Sequence, residues 1–223
     1  MPIYIIAALV AYLLGSIPFG LILVRLFKGA DIRATGSGNI GAANVARFAP
    51  GLGALTLLLD AAKGYAAIFT VRFLAGQPAS GLAVPRGDLA LILGIAGLFA
   101  VLGHMFPVWL RFKGGKGVAT AMGVYLGIVP MAVLITVVLF IIIFALWHYS
   151  SLASITATVI FPLAVYFAMA RQERRQLLPS VVIVAVLIIA KHRQNIQRLQ
   201  AGTEHRFELK KSKTSDAAQH GMQ

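Results

Sequence analysis

One segment of the chain, residues 36–47, combines the residue types of an anion-binding loop. It reads Gly-Ser-Gly-Asn-Ile-Gly-Ala-Ala-Asn-Val-Ala-Arg and follows a long hydrophobic stretch. Glycines let backbone N–H groups approach a ligand closely, and the guanidinium of Arg47 adds positive charge. Because lipid-facing backbone cannot leave polar groups unpaired, the segment predicts a water-accessible or protein-enclosed site for a small anion. The candidate ligands are Gly36, Ser37, Gly38, Asn39, Gly41, Asn44 and Arg47.

The spacing Gly36-x-Gly38-x-x-Gly41 also matches the fingerprint of dinucleotide-binding folds. That fingerprint requires a preceding strand in a β-α-β unit, whereas a hydrophobic helix is predicted before this segment, so we set a dinucleotide site aside. The structural alternative is close helix packing through small residues. Packing accounts for the glycines and alanines, but not for Ser37 and Arg47 in the same segment.

A second polar segment lies at residues 103–120, where the glycines of a Lys-Gly-Gly-Lys-Gly run surround Lys116. The spacing of a nucleotide-binding P-loop is not met, but a glycine loop that opens a helix at Val118 still presents N–H groups to an anion. His104 is either a ligand or a structural histidine on an apolar helix. The candidates here are His104, Gly114, Gly115, Lys116, Gly117 and Thr120.

A third polar segment, residues 191–204, carries His192, Asn195 and Arg198, with Glu204 behind them. Helical spacing brings His192 and Asn195 onto one face, with Arg198 near it. The alternative is an amphipathic basic helix that lies on anionic lipid, although such a helix does not require the histidine and asparagine pair. Separately, Asp60 and Lys63 lie three residues apart in an apolar stretch. They either neutralise each other or help to orient the site.

All three polar segments supply groups that bind phosphate. The sequence contains no cysteine, and no spacing in it is typical of a metal-binding carboxylate cluster or a Ser/His/Asp triad. We therefore expect no metal and no cofactor. The predicted chemistry works by charge and positioning.

The composition indicates which elements must position these residues. Hydrophobic residues make up 59% of the 223 residues and charged residues 12%, and the mean hydropathy is +0.84. These values are typical of a polytopic membrane protein. The net charge of +13 comes mostly from short loops beside hydrophobic runs, as the positive-inside rule predicts, and not from a nucleic-acid site.

Hydrophobic stretches of spanning length are predicted at Ile3–Val24 (with a bend at Gly15–Pro18), Leu52–Leu74, Leu89–Leu110 and Ser151–Ala170. Residues 118–147 form either one long helix or two helices broken at Pro130. The basic run at 171–175 then interrupts the chain, and Leu178–Ala190 adds 13 apolar residues. We favour seven transmembrane helices with the N-terminus outside, the C-terminus cytoplasmic, and a membrane domain at 1–204. Residues 205–223 are expected to form a polar, disordered tail.

Together, the three segments and the Asp-Ala-Ala-Lys-Gly sequence at 60–64 resemble the bacterial acyl-phosphate:glycerol-3-phosphate acyltransferase family (PlsY). The resemblance covers residues 1–204. It implies a multi-pass enzyme of the bacterial cytoplasmic (inner) membrane with its active site facing the cytoplasm. The implied reaction transfers a fatty acyl group from acyl phosphate to glycerol 3-phosphate, which gives lysophosphatidic acid and phosphate, the first step of phospholipid synthesis.

The resemblance also implies residue roles. Ser37, Arg47, His192 and Asn195 are the expected catalytic residues, the Gly114–Gly117 loop the expected glycerol phosphate site, and Glu204 a structural residue. From the residue types themselves, we expect Lys63 and Arg198 to be phosphate ligands and Asp60 to be structural. The expected partners are the two substrates and the lipid bilayer, and no nucleic acid is expected. The protein is expected to be a monomer that is functionally coupled to an enzyme that forms acyl phosphate. The alternative function is a membrane transporter for a small phosphorylated anion.

Overall fold

The computed structural model describes residues 2–76, 84 and 87–207. Most of the predicted tail, residues 208–223, lies outside these ranges, as do residues 77–83 and 85–86 between the second and third predicted hydrophobic stretches. Within them the chain forms α-helices and short 3-10 turns but no strand. The helices are α1 Pro2–Gly15, α2 Phe19–Lys28, α3 Ala42–Phe48, α4 Pro50–Ala75, α5 Leu89–Met105, α6 Val118–Leu126, α7 Pro130–Trp147, α8 Ser150–Ala168, α9 Arg171–Lys191 and α10 Arg193–Gln200.

Five helical stretches in the described part of the chain are long and apolar enough to cross a bilayer. They are Ile3–Lys28, Pro50–Ala75, Leu89–Leu110, Pro130–Trp147 and Ser150–Ala168. Helices α9 and α10 together qualify as a sixth stretch, bent by 55°. Helix α6 has only nine residues, about 14 Å at the usual rise, and is too short to qualify by length alone.

Glycine and proline set the breaks between helices. The first apolar stretch bends between Gly15 and Phe19, where the bend was predicted, because Pro18 cannot continue a helical hydrogen-bond ladder. Residues 118–147 form two helices, since Gly127–Val129 separate α6 from α7 and Pro130 opens α7. Proline is well suited to a first helical turn because its missing N–H has no partner there anyway.

The basic run at 171–175 does not interrupt the chain as the sequence suggested. Helix α9 begins at Arg171 and continues to Lys191 through Pro179. Arginine and glutamine are good helix formers, so the run becomes the first turns of the helix. The 13 apolar residues at 178–190 are therefore the second part of α9.

The core lies where α5 packs against α1, α4 and α9, and where α4 packs against α6. Two of these contacts depend on glycine. A Cβ on Gly103 would overlap the backbone of α1 at Tyr12, and a Cβ on Gly123 would overlap the backbone of α4 at Ala61. Helix α7 buries only three side chains. Its exposed apolar surface is suited to lipid, because hydrocarbon accepts such surface without cost.

Candidate active site

The loop at 36–41 is shaped by Asn44, at the start of α3. The Asn44 amide nitrogen donates to the carbonyl oxygens of Ile32 (3.3 Å), Thr35 (3.1 Å) and Asn39 (2.9 Å), and its oxygen accepts from the backbone N–H of Ser37 at 3.0 Å. These bonds occupy the whole amide, which is 3% exposed. Asn44 thus holds the loop, and its carboxamide is not free for a ligand.

Two glycines allow this loop to turn. Gly36 has φ +54° and Gly38 has φ +68°, a region that other residues rarely adopt. The turn leaves Ser37 exposed, and Arg47 lies in the last turn of α3. Partial burial and the nearby Arg198 lower the pKa of Arg47, whereas the charge of Glu204 acts in the opposite direction.

The second loop folds back on the end of α5. Gly115 donates its N–H to the carbonyl oxygen of His104 at 3.0 Å, and Gly114 donates to that of Met105 at 3.2 Å. A Cβ on Gly115 would overlap the imidazole ring of His104, so only glycine fits over the histidine. Gly117, at φ +88°, then directs the chain into α6.

A buried polar network lies beneath this loop. The Lys63 ammonium is 2.7 Å from a carboxylate oxygen of Asp60, donates to the carbonyl oxygen of Ile17 at 2.7 Å and lies 3.0 Å from Nδ1 of His104. Because an ammonium can only donate, Nδ1 of His104 is the acceptor and Nε2 carries the hydrogen. The network joins the break between α1 and α2 to α4 and α5.

Glu204 organises the third segment. Its Oε1 accepts from the Asn195 amide at 2.6 Å and from the Ser151 hydroxyl at 2.8 Å, and its Oε2 accepts from Arg198 at 2.7 Å. Burial raises the pKa of Glu204, but these hydrogen bonds outweigh it and lower the pKa overall. The carboxylate therefore stays ionised and fixes Asn195 and Arg198.

Lys116 joins the second and third segments, because its ammonium donates to Oδ1 of Asn195. Burial, together with Arg198 and Arg47, lowers the pKa of Lys116 to about 8 although Glu204 opposes the shift. Lys116 is therefore charged at neutral pH, but the nearby acidic residue Glu204 does not fully compensate its positive charge and that of its neighbours. Such a group is ready to bind a phosphate.

His192 lies at the bend between α9 and α10 and is 3% exposed. Its Nδ1 is 2.8 Å from the carbonyl oxygen of Ile188, which can only accept, so Nδ1 carries the hydrogen and Nε2 keeps a lone pair. Burial and the charge of Lys116 lower the pKa of His192 to about 4. The ring is therefore neutral at pH 7.

These side chains meet at one cavity of about 450 Å³. Its polar end contains groups from all three segments, and the rest is apolar and lies between α6, α7, α8 and α9. The polar lining includes Ser37, Asn39, Gly41, Asn44, Arg47, Asp60, His104, Lys116, Gly117, His192 and Asn195, and the apolar lining includes Met122, Tyr125, Val133, Phe140, Phe161 and Val184. One cavity can therefore hold both phosphate and a hydrocarbon chain.

The remaining predicted site residues do not line this cavity. Gly36, Gly38, Gly114 and Gly115 shape the loops from behind, whereas Lys63, Arg198 and Glu204 act through ion pairs and hydrogen bonds. Thr120 is buried, and its backbone carbonyl lies where a Cβ on Gly64 would be. These placements favour supporting roles over direct contact with a ligand.

Sequence reasoning missed two kinds of residue. Ser151 holds Glu204, and the only sequence signal was its position in a stretch rich in serine and threonine. The apolar lining, such as Tyr125 and Phe161, was also missed. Apolar residues that face a cavity have the same sequence pattern as those that face a core or lipid.

Three comparisons with known proteins agree. A family model described as glycerol-3-phosphate acyltransferase matches residues 5–202. A glycerol-3-phosphate acyltransferase of Mesorhizobium japonicum is 48% identical over 92% of this chain and 97% of its own length. One of Geobacter sulfurreducens is 48% identical over 91% and 97%.

Among solved structures, this chain is similar to PlsY (YgiH), an integral membrane glycerol 3-phosphate acyltransferase. The glycerol 3-phosphate form superposes with a TM-score of 0.80 at 40% sequence identity, and the match covers 92% of this chain and 96% of that one. Its lysophosphatidic acid form gives a TM-score of 0.78 at the same identity. The all-helical membrane fold expected from the sequence is thereby confirmed. With matches of this extent, the chain belongs to the glycerol-3-phosphate acyltransferase family.

Proposed function

We propose that this chain transfers a fatty acyl group from acyl phosphate to the primary hydroxyl of glycerol 3-phosphate, with lysophosphatidic acid and inorganic phosphate as products. The observation that carries this proposal is the cavity, which has a cationic, glycine-lined end and an apolar end between helices. The acyl tail occupies the apolar end. The relatives' acylation of glycerol 3-phosphate supports the same acceptor.

The two phosphates of the substrates explain why the polar end has several donors. Arg47 and Lys116 supply charge, and the side-chain amide nitrogen of Asn39, which also lines the polar end, supplies further hydrogen bonds. Ser37 donates its hydroxyl to phosphate. It does not act as a nucleophile, because no base accepts a hydrogen bond from it among the residues that the structure describes.

An acyl phosphate is a mixed anhydride with a good leaving group, so the alcohol attacks the acyl carbon directly. The new C–O bond forms to the glycerol oxygen, the bond from the acyl carbon to the phosphate oxygen breaks, and phosphate leaves. Arg47 and Lys116 stabilise the negative charge that develops on the oxyanion and the leaving phosphate. Their fixed positions remove most of the cost of bringing the reactants together.

The hydroxyl proton ends on a phosphate oxygen. A phosphate has a second pKa of about 6 and is therefore basic enough to accept this proton as the ester bond forms. The lone pair on Nε2 of His192 accepts a hydrogen bond from the attacking hydroxyl and orients it. Asn195 and Lys116 lie in the same polar end of the cavity.

We also propose seven membrane-crossing segments, with the site and the C-terminus cytoplasmic. Arg72, in the last turn of α4, donates to the carbonyl oxygen of Gly127 at 3.1 Å, so short α6 reaches the end of the bundle remote from the site. Phe207 donates its N–H to the carbonyl oxygen of His148 at 2.9 Å, so α7 returns to the site. These contacts support opposite crossings by α6 and α7.

Arg25 and Lys28 lie in the last turn of α2 and Arg33 follows it, at the end of the bundle that contains the site. The positive-inside rule favours the cytoplasm for this end, and the bacterial cytoplasmic membrane is the proposed location. We further propose that the enzyme works as a monomer. Its acyl phosphate comes from a separate enzyme that forms it.

One assay tests the reaction. Purified protein is incubated with glycerol 3-phosphate and either palmitoyl phosphate or palmitoyl-CoA, and lysophosphatidic acid and phosphate are measured. We expect both products from palmitoyl phosphate alone. Absence of product with palmitoyl phosphate would contradict the proposal, and uptake of glycerol 3-phosphate into proteoliposomes without turnover would favour the transporter.

A further inference from the structure

Phe207 is the last residue that the structure describes, and it lies against the active site. Its ring centroid is 4.9 Å from the guanidinium carbon of Arg47. It lies beyond the region matched by the family model, which ends at residue 202. Neither the predicted anion loops nor the predicted site residues include it.

The surroundings of Phe207 fix its position. Its backbone N–H donates to the carbonyl oxygen of His148 at 2.9 Å, and its ring meets the ring of Phe144 edge-on, with centroids 5.6 Å apart. His148 ends α7 with φ +61°, a conformation that aims its carbonyl oxygen at residue 207. The segment after Glu204 is therefore bound to the end of α7, and one face of the Phe207 ring lies towards Arg47.

The chemistry of this contact differs from that of the other cations in the site. Arg198 is bound to a carboxylate and Lys116 to an amide oxygen. Among the described residues, no hydrogen bond uses the guanidinium of Arg47. An aromatic face attracts and orients a guanidinium through its π electrons without occupying any of the five N–H donors.

We propose that Phe207 is a positioning residue that holds the guanidinium of Arg47 over the cavity with all its donors available for phosphate. This inference rests on the proposed phosphate-binding role of Arg47. A flexible arginine side chain would otherwise lose rotamer entropy each time it bound phosphate, and the ring removes part of that cost in advance.

The test compares Phe207→Leu, Phe207→Ala and Phe207→Tyr in the full-length protein. Tyrosine keeps the aromatic face, leucine keeps apolar volume without it, and alanine keeps neither. Binding of inorganic phosphate is measured by calorimetry, and kcat and KM are measured with palmitoyl phosphate. From the usual strength of such contacts, we expect leucine and alanine to weaken phosphate binding about 2- to 30-fold, and tyrosine to match the parent protein.

The same measurement in an Arg47→Met background separates positioning from packing. There, Phe207→Leu is expected to leave the remaining phosphate affinity unchanged, since the ring acts only through the guanidinium. Equal losses in both backgrounds, parent-like binding by Phe207→Leu, or loss with Phe207→Tyr would each overturn the proposal, as would absence of phosphate binding in the parent. Calorimetry needs no turnover, so it separates failure of this inference from failure of the acyl transfer.

Discussion

Single side chains in this site divide into those whose polar atoms are occupied in holding the loops and those that keep polar atoms available at the cavity. Asn44 and Glu204 belong to the first group, because their polar atoms are occupied by backbone or side-chain partners. Arg47, Lys116 and His192 belong to the second. A polar residue in a motif can therefore serve catalysis without meeting the substrate, and this distinction gives separate expectations for substitution.

Lys116 gives the enzyme a predicted alkaline limit. Its pKa of about 8 means that the free enzyme loses this charge as the pH rises through 8, so kcat/KM should fall above that pH. Substrate phosphates become dianions above about pH 6, so kcat/KM should rise through that range. A plot of kcat/KM against pH from 5.5 to 10 should therefore be bell-shaped.

The variant Lys116→Arg tests the assignment, because a guanidinium stays protonated throughout that range. We expect its alkaline limb to move up by at least one pH unit, even if its maximal rate is lower. Lys113→Arg, at an exposed lysine of the same loop, is the matched control and should keep the parent profile. If the alkaline fall in kcat/KM occurs at the same pH in Lys116→Arg as in the parent, a group other than Lys116 causes it.

At the scale of elements, the site depends on where helices stop. The break between α1 and α2 frees the carbonyl oxygen of Ile17, which receives a hydrogen bond from Lys63. The end of α5 places His104 beneath the second glycine loop. Polar groups inside a membrane bundle are costly unless they are paired, and these breaks supply the partners.

Gly115→Ala should damage the second loop, because the added Cβ would overlap the buried His104 ring. The loop would have to move away from α5 and carry Lys116 with it. We expect kcat/KM to fall about 100-fold, the cost typical of a small displacement of catalytic groups. Kinetic measurement with both substrates checks this.

Gly51→Ala is the control, since a Cβ on Gly51 meets open space and its φ is ordinary. It should retain parent activity. If Gly115→Ala is equally active, the contact between the second loop and His104 has no role in catalysis.

At the scale of the whole molecule, every polar segment lies at one end of a bundle whose apolar surface faces outward. The lining of the cavity draws on every helix from α3 to α10, so no part of the chain could form the site alone. The acyl tail of the donor requires apolar surroundings, and its charged phosphate requires polar ones. A cavity that runs from a cationic mouth into the bundle offers both.

Topology can be tested by labelling, because the chain contains no cysteine. We expect a cysteine introduced at Arg33 or Lys113 to react with a membrane-impermeant maleimide only after the cytoplasmic side is exposed. A cysteine at Asp88 or Glu173 should react from outside. Cytoplasmic reactivity at position 173 would contradict seven crossings and favour a single crossing by residues 118–147.

The sequence by itself determined the class of the protein, its helices and the three polar segments, because hydrophobic length and glycine-rich composition are local properties. The helix break at Gly127–Val129 was left open, and the start of α9 at Arg171 was missed. Local patterns did not reveal that α6 packs against α4. The start of α9 was missed because charge and hydrophobic length were weighed above helix propensity, which favours a helix in the basic run.

Only the tertiary structure decided which members of each segment keep their polar groups available for a ligand. Asn39, Asn44 and Arg47 look equally suited to an anion in the sequence, yet the amide of Asn44 is occupied by the loop and the guanidinium of Arg47 rests on Phe207, 160 residues away along the chain. The partners of Asn44 lie only 5 to 12 residues away, and the turns at Gly36 and Gly38 bring them together. The contact between Arg47 and Phe207, in contrast, depends on how the helices pack. That packing is a property of the whole bundle and leaves no pattern in any one segment.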